Sequence, residues 1–195
     1  MVDWLVLYEN LIRILLVALA VLHLRTREYN KLIVAVIVLA LTFVPWLLGL
    51  IPIALNRLSL FLYPAVFVMA CYLGTGWKLY DRFPWWDRAV HFLSGVLFFS
   101  VGISLAQRVP SVGVTGTLVF SAALSLAMHM IWEVLEYLAD NATRGDNQRW
   151  QKRNQDIIHD PQKTKQPAGL VDTMHDMIAC IVGTAVACVG WWIAL

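Results

Sequence analysis

Six stretches of this chain stay apolar for about twenty residues each, the length a helix needs to cross the hydrocarbon core of a bilayer. They cover roughly residues 4–24, 31–50, 58–79, 87–107, 114–138 and 170–194. Inside lipid every backbone N–H and C=O must find a partner, which a helix provides within its own segment. No stretch shows the alternation of a strand, and no repeat of fixed period appears. The sequence therefore predicts an all-α polytopic membrane protein, a six-transmembrane-helix bundle forming one domain over residues 1–195. Only 14% of the residues are charged and 59% are hydrophobic, whereas a soluble domain carries about a quarter charged residues. Pro45, with Gly49 and Pro52 close behind, predicts a kink or an early stop in the second span. Ala18-Leu19-Ala20 faintly resembles a cleavage site, but Met1-Val2-Asp3-Trp4 supplies no positive n-region, so the first span is expected to be retained.

Lys and Arg placement gives the orientation. Arg25, Arg27 and Lys31 lie between the first two spans, and Lys78, Arg82 and Arg88 lie between the third and fourth. Six more occupy the long connection 139–169. The other side carries only Arg57 and Arg108, and Arg13 lies inside the first span. By this bias the three basic connections face the cytoplasm, with both termini outside. The net charge of +2 excludes nucleic acid as an expected partner. The bilayer is the expected partner, and the basic 139–169 connection is expected to favour anionic lipid. Cys71, Cys180 and Cys188 lie dispersed in apolar segments without zinc-ligand spacing and read as packing residues. Seven tryptophans near span ends (Trp4, Trp46, Trp77, Trp85, Trp86, Trp191 and Trp192) form an aromatic belt.

Ionisable groups inside spans are rare and costly, so each marks a candidate site. Asp87 and His91 open the fourth span, Glu133 and Glu136 lie near the end of the fifth, and Asp172, His175 and Asp176 open the sixth. At 1.5 Å per helical residue, His91 lies about 6 Å deep, Glu133 about 7 Å, and His175 and Asp176 about 8 Å. All three polar ends therefore meet at one level, in the cytoplasmic leaflet. On the fifth span His129, Glu133, Glu136 and Asp140 fall within an arc of about 60°. Faces of small residues continue these stripes: Ser94, Gly95 and Gly102; Ser121 and Ser125; Ala179, Gly183 and Gly190. Such faces let membrane helices approach closely.

Some of these residues also have plain roles. Asp87 suits a helix cap, Asp172 suits a helix N-terminus, Asp140 suits the solvated interface, and His129 suits a core imidazole bonded to a carbonyl. Glu133 and Glu136 resist such roles, because they lie at a helix C-terminus where the dipole disfavours anions. A divalent cation (Zn, Mn, Fe or Mg) would compensate several carboxylates and imidazoles at once.

Asp87-Arg88-Ala89-Val90-His91-Phe92-Leu93-Ser94-Gly95 resembles the D-x-x-x-H-F-x-x-G segment of the YjdF-like family of uncharacterised bacterial inner-membrane proteins. Trp132-Glu133-Val134-Leu135-Glu136 resembles that family's W-E-x-x-E segment, and Asp172-Thr173-Met174-His175-Asp176-Met177, followed by Gly183, resembles its D-T-x-x-D-M…G segment. More distantly the order resembles VanZ-like membrane proteins. The resemblance covers about residues 80–190 and implies which residues matter without implying a reaction.

The leading functional expectation is a metal-dependent hydrolase of a lipid-linked substrate. His91, Glu133, Glu136 and Asp176 are the expected metal ligands, and Asp172 or His175 the general base. Asp87, Arg88, His129 and Asp140 are additional candidates, with Arg88 or the basic connection holding a phosphate. The alternatives are a cation or proton-coupled transporter, and a non-catalytic assembly or lipid-binding protein in which the polar groups fix helix register.

Overall fold

A computed structural model describes residues 3–50, 54–109, 111–143, 145–148 and 166–194. It has six helices long and apolar enough to cross a membrane, and no strand among the described residues. The first is α1 (Trp4–Thr26), capped by Asp3, whose carboxylate accepts from Leu5 N. Arg27 then adopts a left-handed conformation (φ 59°), which bonds its N–H to the last carbonyls of α1 and turns the chain into the second span.

That second span breaks as Pro45 predicts. Helix α2 (Tyr29–Leu41) ends at Thr42, and α3 (Val44–Leu50) starts just before the proline. Arg13 of α1 is the polar plug of this break. It donates to the Thr42 carbonyl at 2.9 Å and hydroxyl at 3.3 Å, pairs with Glu9 at 3.1 Å, and lies over the Phe43 ring. A charged group deep in a span is thus held by a partner and by a carbonyl released from the helix ladder.

The third span also changes character partway. Helix α4 (Arg57–Phe67) contains Pro64, which has no N–H to donate, and the chain continues as π-helix over Val68–Gly76. The Met69 carbonyl in this segment accepts from the Trp86 indole at 3.2 Å. The segment also places Tyr72 against His23 of α1, 2.8 Å from hydroxyl to Nε2. Short helix α5 (Leu79–Arg82) then leads to the last three spans: α6 (Trp86–Ala106), α7 (Val114–Thr143) and α8 (Ala168–Ala194).

Helix α6 is the centre of the bundle. It packs against α7, α8, α4 and the π segment, and 56% of its apolar window is buried, against 11% for α1. Its small face fits α8 closely: a Cβ on Gly95 would meet the Cys180 carbonyl at 2.5 Å, and one on Gly183 would collide with the Phe92 carbonyl. Here glycine is required by the approach of two backbones. Ser125 of α7 ties all three helices, donating to the Gly95 carbonyl at 2.9 Å and bonding the Thr184 hydroxyl at 2.8 Å. Gly190, expected on the same stripe, instead lies exposed with open space around it.

A polar cluster at the opposite end of the bundle was not legible in the sequence. Asn56 caps α4 through Ser59 N and also bonds the Ser100 carbonyl and the Ser104 hydroxyl of α6, while the Ser59 and Ser100 hydroxyls meet at 3.0 Å. Every one of these groups has a partner, so the cluster fixes the register of α4 on α6.

Candidate metal centre

At the end of the bundle that carries the basic turns, α6 starts, α7 finishes and α8 starts. Each contributes two ionisable residues one turn apart: Asp87 and His91, His129 and Glu133, Asp172 and Asp176. All six are buried. The four-residue spacing places each pair within about 40° on one helix face, and close packing of α6 with α7 and α8 turns those faces toward one another.

The imidazoles of His91 and His129 meet edge to face with ring centroids 4.8 Å apart and Nδ1 atoms 3.4 Å apart. The other nitrogen of His91, Nε2, lies 3.2 Å from the Asp87 carboxylate and 3.9 Å from that of Asp176. His129 Nε2 lies 3.4 Å from Glu133 Oε1. Two groups of donor atoms result, each gathered within 4.8 Å: His91, His129 and Glu133 in one, and Asp87, His91 and Asp176 in the other.

Partner accounting separates these groups. Glu133 is 7% exposed, and neither carboxylate oxygen has a hydrogen-bond partner among the described residues; nor has His129 Nε2. The Thr173 hydroxyl of α8 faces this carboxylate. A buried polar atom without a partner costs about 1–3 kcal/mol, and more when charged. Three such atoms on two adjacent residues, facing a second imidazole, have the composition of a three-ligand cation site. Two His and one Glu with an open position are a donor set that zinc enzymes use. The Asp87 carboxylate behind His91 matches the partner that orients a metal-binding imidazole through its far nitrogen.

The other expected site residues fall elsewhere. Glu136 is half-buried and outside both donor groups, and its carboxylate accepts from the Trp132 indole at 2.7 Å. His175 is half-buried and bonds Arg88 at 3.3 Å across the α6–α8 seam, so this pair clasps two helices on their outer side. Asp140 is buried, accepting from Asn147 N and Nδ2 and from Gln148 N. It lies inside α7, which runs five residues past the expected end at 138, and there it anchors the returning chain. Asp87 is not the cap of α6, because the N-cap position is Trp85; its carboxylate turns to His91. His129 hydrogen-bonds the Asp176 backbone, as expected of a core imidazole, and its ring also lies in the group with His91 and Glu133. The expected anionic-lipid segment falls largely on 149–165, outside the described residues.

A cavity of about 550 Å³ opens next to this centre, lined by Asp87, Trp132 and Glu136, by Lys78 and Asp81 of the α5 turn, and by Asp146 beyond α7. Sequence reading missed Trp132, Lys78 and Tyr80 as lining residues. Trp132 entered the reading only through the W-E-x-x-E resemblance and Lys78 only as a basic turn, and the turn that seats α5 brings Tyr80 to the cavity.

No curated protein matches the chain, and no solved structure does. One sequence family, described as predicted membrane protein (DUF2238), matches residues 8–195. That match takes in spans one to three, which the motif resemblance did not reach. The chain belongs to this family of multi-pass membrane proteins.

Proposed function

We propose that the protein is a metal-dependent membrane hydrolase whose cation is held by His91, His129 and Glu133, and that it cleaves an ester or phosphoester of a lipid-linked substrate. The single observation that carries this reading is the buried Glu133 carboxylate, neither oxygen completing a hydrogen bond among the described residues, with Oε1 facing His129 Nε2 at 3.4 Å. Two more of the expected ligands take different parts: Asp176 lies behind His91 with Asp87, and Glu136 lines the adjoining cavity. Kinship with YjdF-like proteins, and a bacterial inner membrane with the basic turns facing the cytoplasm, belong to the same proposal.

A divalent cation here would polarise the scissile group and lower the pKa of a bound water. The chain's own groups do the rest. Asp87 holds the His91 ring in one orientation. Asp176, with Asp172 one turn earlier on α8, is the carboxylate wall that accepts the proton of water as it adds to the ester carbon or phosphorus. That proton returns to the departing alkoxide as the C–O or P–O bond breaks. Membrane helices around the site limit bulk water and strengthen these interactions.

The test is head-group release from a bacterial lipid extract by purified protein in detergent, with and without a chelator. Wild type is expected to release a water-soluble product that chelation stops and added metal restores, and Glu133→Gln to release none. Release unaffected by chelator and by Glu133→Gln would contradict the proposal.

A further inference from the structure

A second cavity, a narrow slot of about 120 Å³, adjoins the first. Its floor is α6 from His91 to Phe98, a run of about 10 Å at helical rise. One wall is α7, and the other is the end of α4 with the π segment. Helix α6 packs on both walls, but the walls form no packed interface with each other among the described residues. The slot therefore opens sideways between them, on the side where Ile131, Trp132 and Leu135 of α7 are exposed. The floor is closed in by contrast, with Val90 5% exposed and Leu97 not exposed at all. The Ser94 hydroxyl on the floor is turned to the His91 carbonyl at 2.8 Å, so water in the deep part would find few partners. At the shallow end His91 and His129 stand in the lining, next to the larger cavity.

We infer that this slot holds one aliphatic chain of a membrane lipid and delivers the chain's polar end to His91 and His129. The inference rests on the hydrolase reading for the chain's role as substrate, and on the slot alone for its binding. The slot continues the lipid-facing side of α7 in a protein of six spans, so the medium at its opening is hydrocarbon. A chain that enters leaves one apolar medium for another, so hydrophobic transfer gives no driving force. Filling does: an empty slot forfeits dispersion contacts along three elements, and a chain restores them. The long axis of the slot follows the spanning helix α6, so the chain keeps the direction it has in the leaflet. The narrow slot admits one chain, and the second chain of a two-chain lipid stays outside against α7. Recognition lies in the chain and asks nothing of the charge of the head.

Depth-resolved photo-crosslinking in proteoliposomes tests this without requiring turnover. Phosphatidylcholine vesicles would carry a trace of the same lipid with a diazirine either beside the acyl ester or farther along one chain. The ester-proximal probe is expected to label α6 near His91 and Ser94, and the distal probe to label Leu97 and Phe98. Lipid that merely surrounds the protein labels exposed residues such as Ile131 and Leu135 and leaves this floor untouched. Ala70→Trp, which fills the slot from the π wall, should remove floor labelling and spare that of Ile131 and Leu135. Cys71, half-buried in the lining, allows a plug added after folding. In a Cys188→Ala background, an alkyl methanethiosulfonate would form a mixed disulfide with the Cys71 thiol and release methanesulfinate. Floor labelling should then be lost, and a thiol reductant should restore it. Labelling confined to exposed residues, or floor labelling that survives both plugs, would overturn the inference. Floor labelling in wild-type protein that carries no metal would leave the chain site standing and remove the hydrolase reading. Metal-dependent head-group release with the floor unlabelled would do the reverse.

Discussion

Two buried imidazoles in this bundle are alike in exposure and opposite in partnership. His23 of α1 is 2% exposed, and both ring nitrogens are bonded, Nδ1 to Glu28 at 2.9 Å and Nε2 to the Tyr72 hydroxyl at 2.8 Å. His129 of α7 is 4% exposed, and its Nε2 has no hydrogen-bond partner among the described residues, beside a Glu133 carboxylate in the same condition. Burial alone would rank the two histidines together. Hydrogen-bond accounting gives the first a structural role, joining α1 to the π segment, and marks the second as a place where something else belongs.

The contrast can be sharpened by mutation. Among changes outside the three proposed ligands, the largest effect is expected from Asp87→Asn, which keeps the shape of the side chain but weakens its hold on His91. Metal affinity, read by competition with a fluorescent chelator, should fall about 10–100-fold, with the thermal midpoint little changed. Next is Tyr72→Phe, which leaves His23 Nε2 buried without its partner. Stability should fall by about 1–3 kcal/mol in detergent unfolding, while the metal content stays at the wild-type level. Loss of metal in Tyr72→Phe would erase the distinction between the two regions.

The smallest effect concerns Glu28. Its hydrogen bonds to Lys31 and then to His23 hold its carboxyl below the ordinary 4.5. A lowered carboxyl pKa adds stability above the unfolded-state value, and that contribution is lost as pH falls through the folded value. Glu28→Gln should therefore be slightly less stable than wild type near neutral pH, and the two midpoints should converge in acid. Because Glu28 is solvent-exposed, the gap is expected to be small. A gap that widened in acid would contradict this assignment.

The spans were legible because bilayer thickness imposes a length that composition can meet in few ways. The break at Pro45 was legible for a chemical reason, the missing N–H. The π segment was not, since Pro64 alone does not say that the coil widens four residues later. At the site, depth along each span brought the right three helix ends together. Choosing residues within each stripe needed a finer rule. The converging pairs 87/91, 129/133 and 172/176 are all four apart, about 40° on a helix, whereas Glu136 and His175 sit three residues from Glu133 and Asp172, about 60° to the other side. Glu136 turns far enough to meet Trp132, and His175 far enough to meet Arg88.

The central claim is that His91, His129 and Glu133 hold a cation, and elemental analysis of purified protein tests it most directly. Wild type and Tyr72→Phe should each carry about one divalent metal per chain, with three ligands and an open position. Glu133→Gln, folded to the same thermal midpoint or higher, should carry less than a tenth as much, since losing a direct ligand exceeds the roughly tenfold least cost of losing an orienting partner. Wild-type protein without metal after purification in its presence, or Glu133→Gln with as much metal as wild type, would contradict the account.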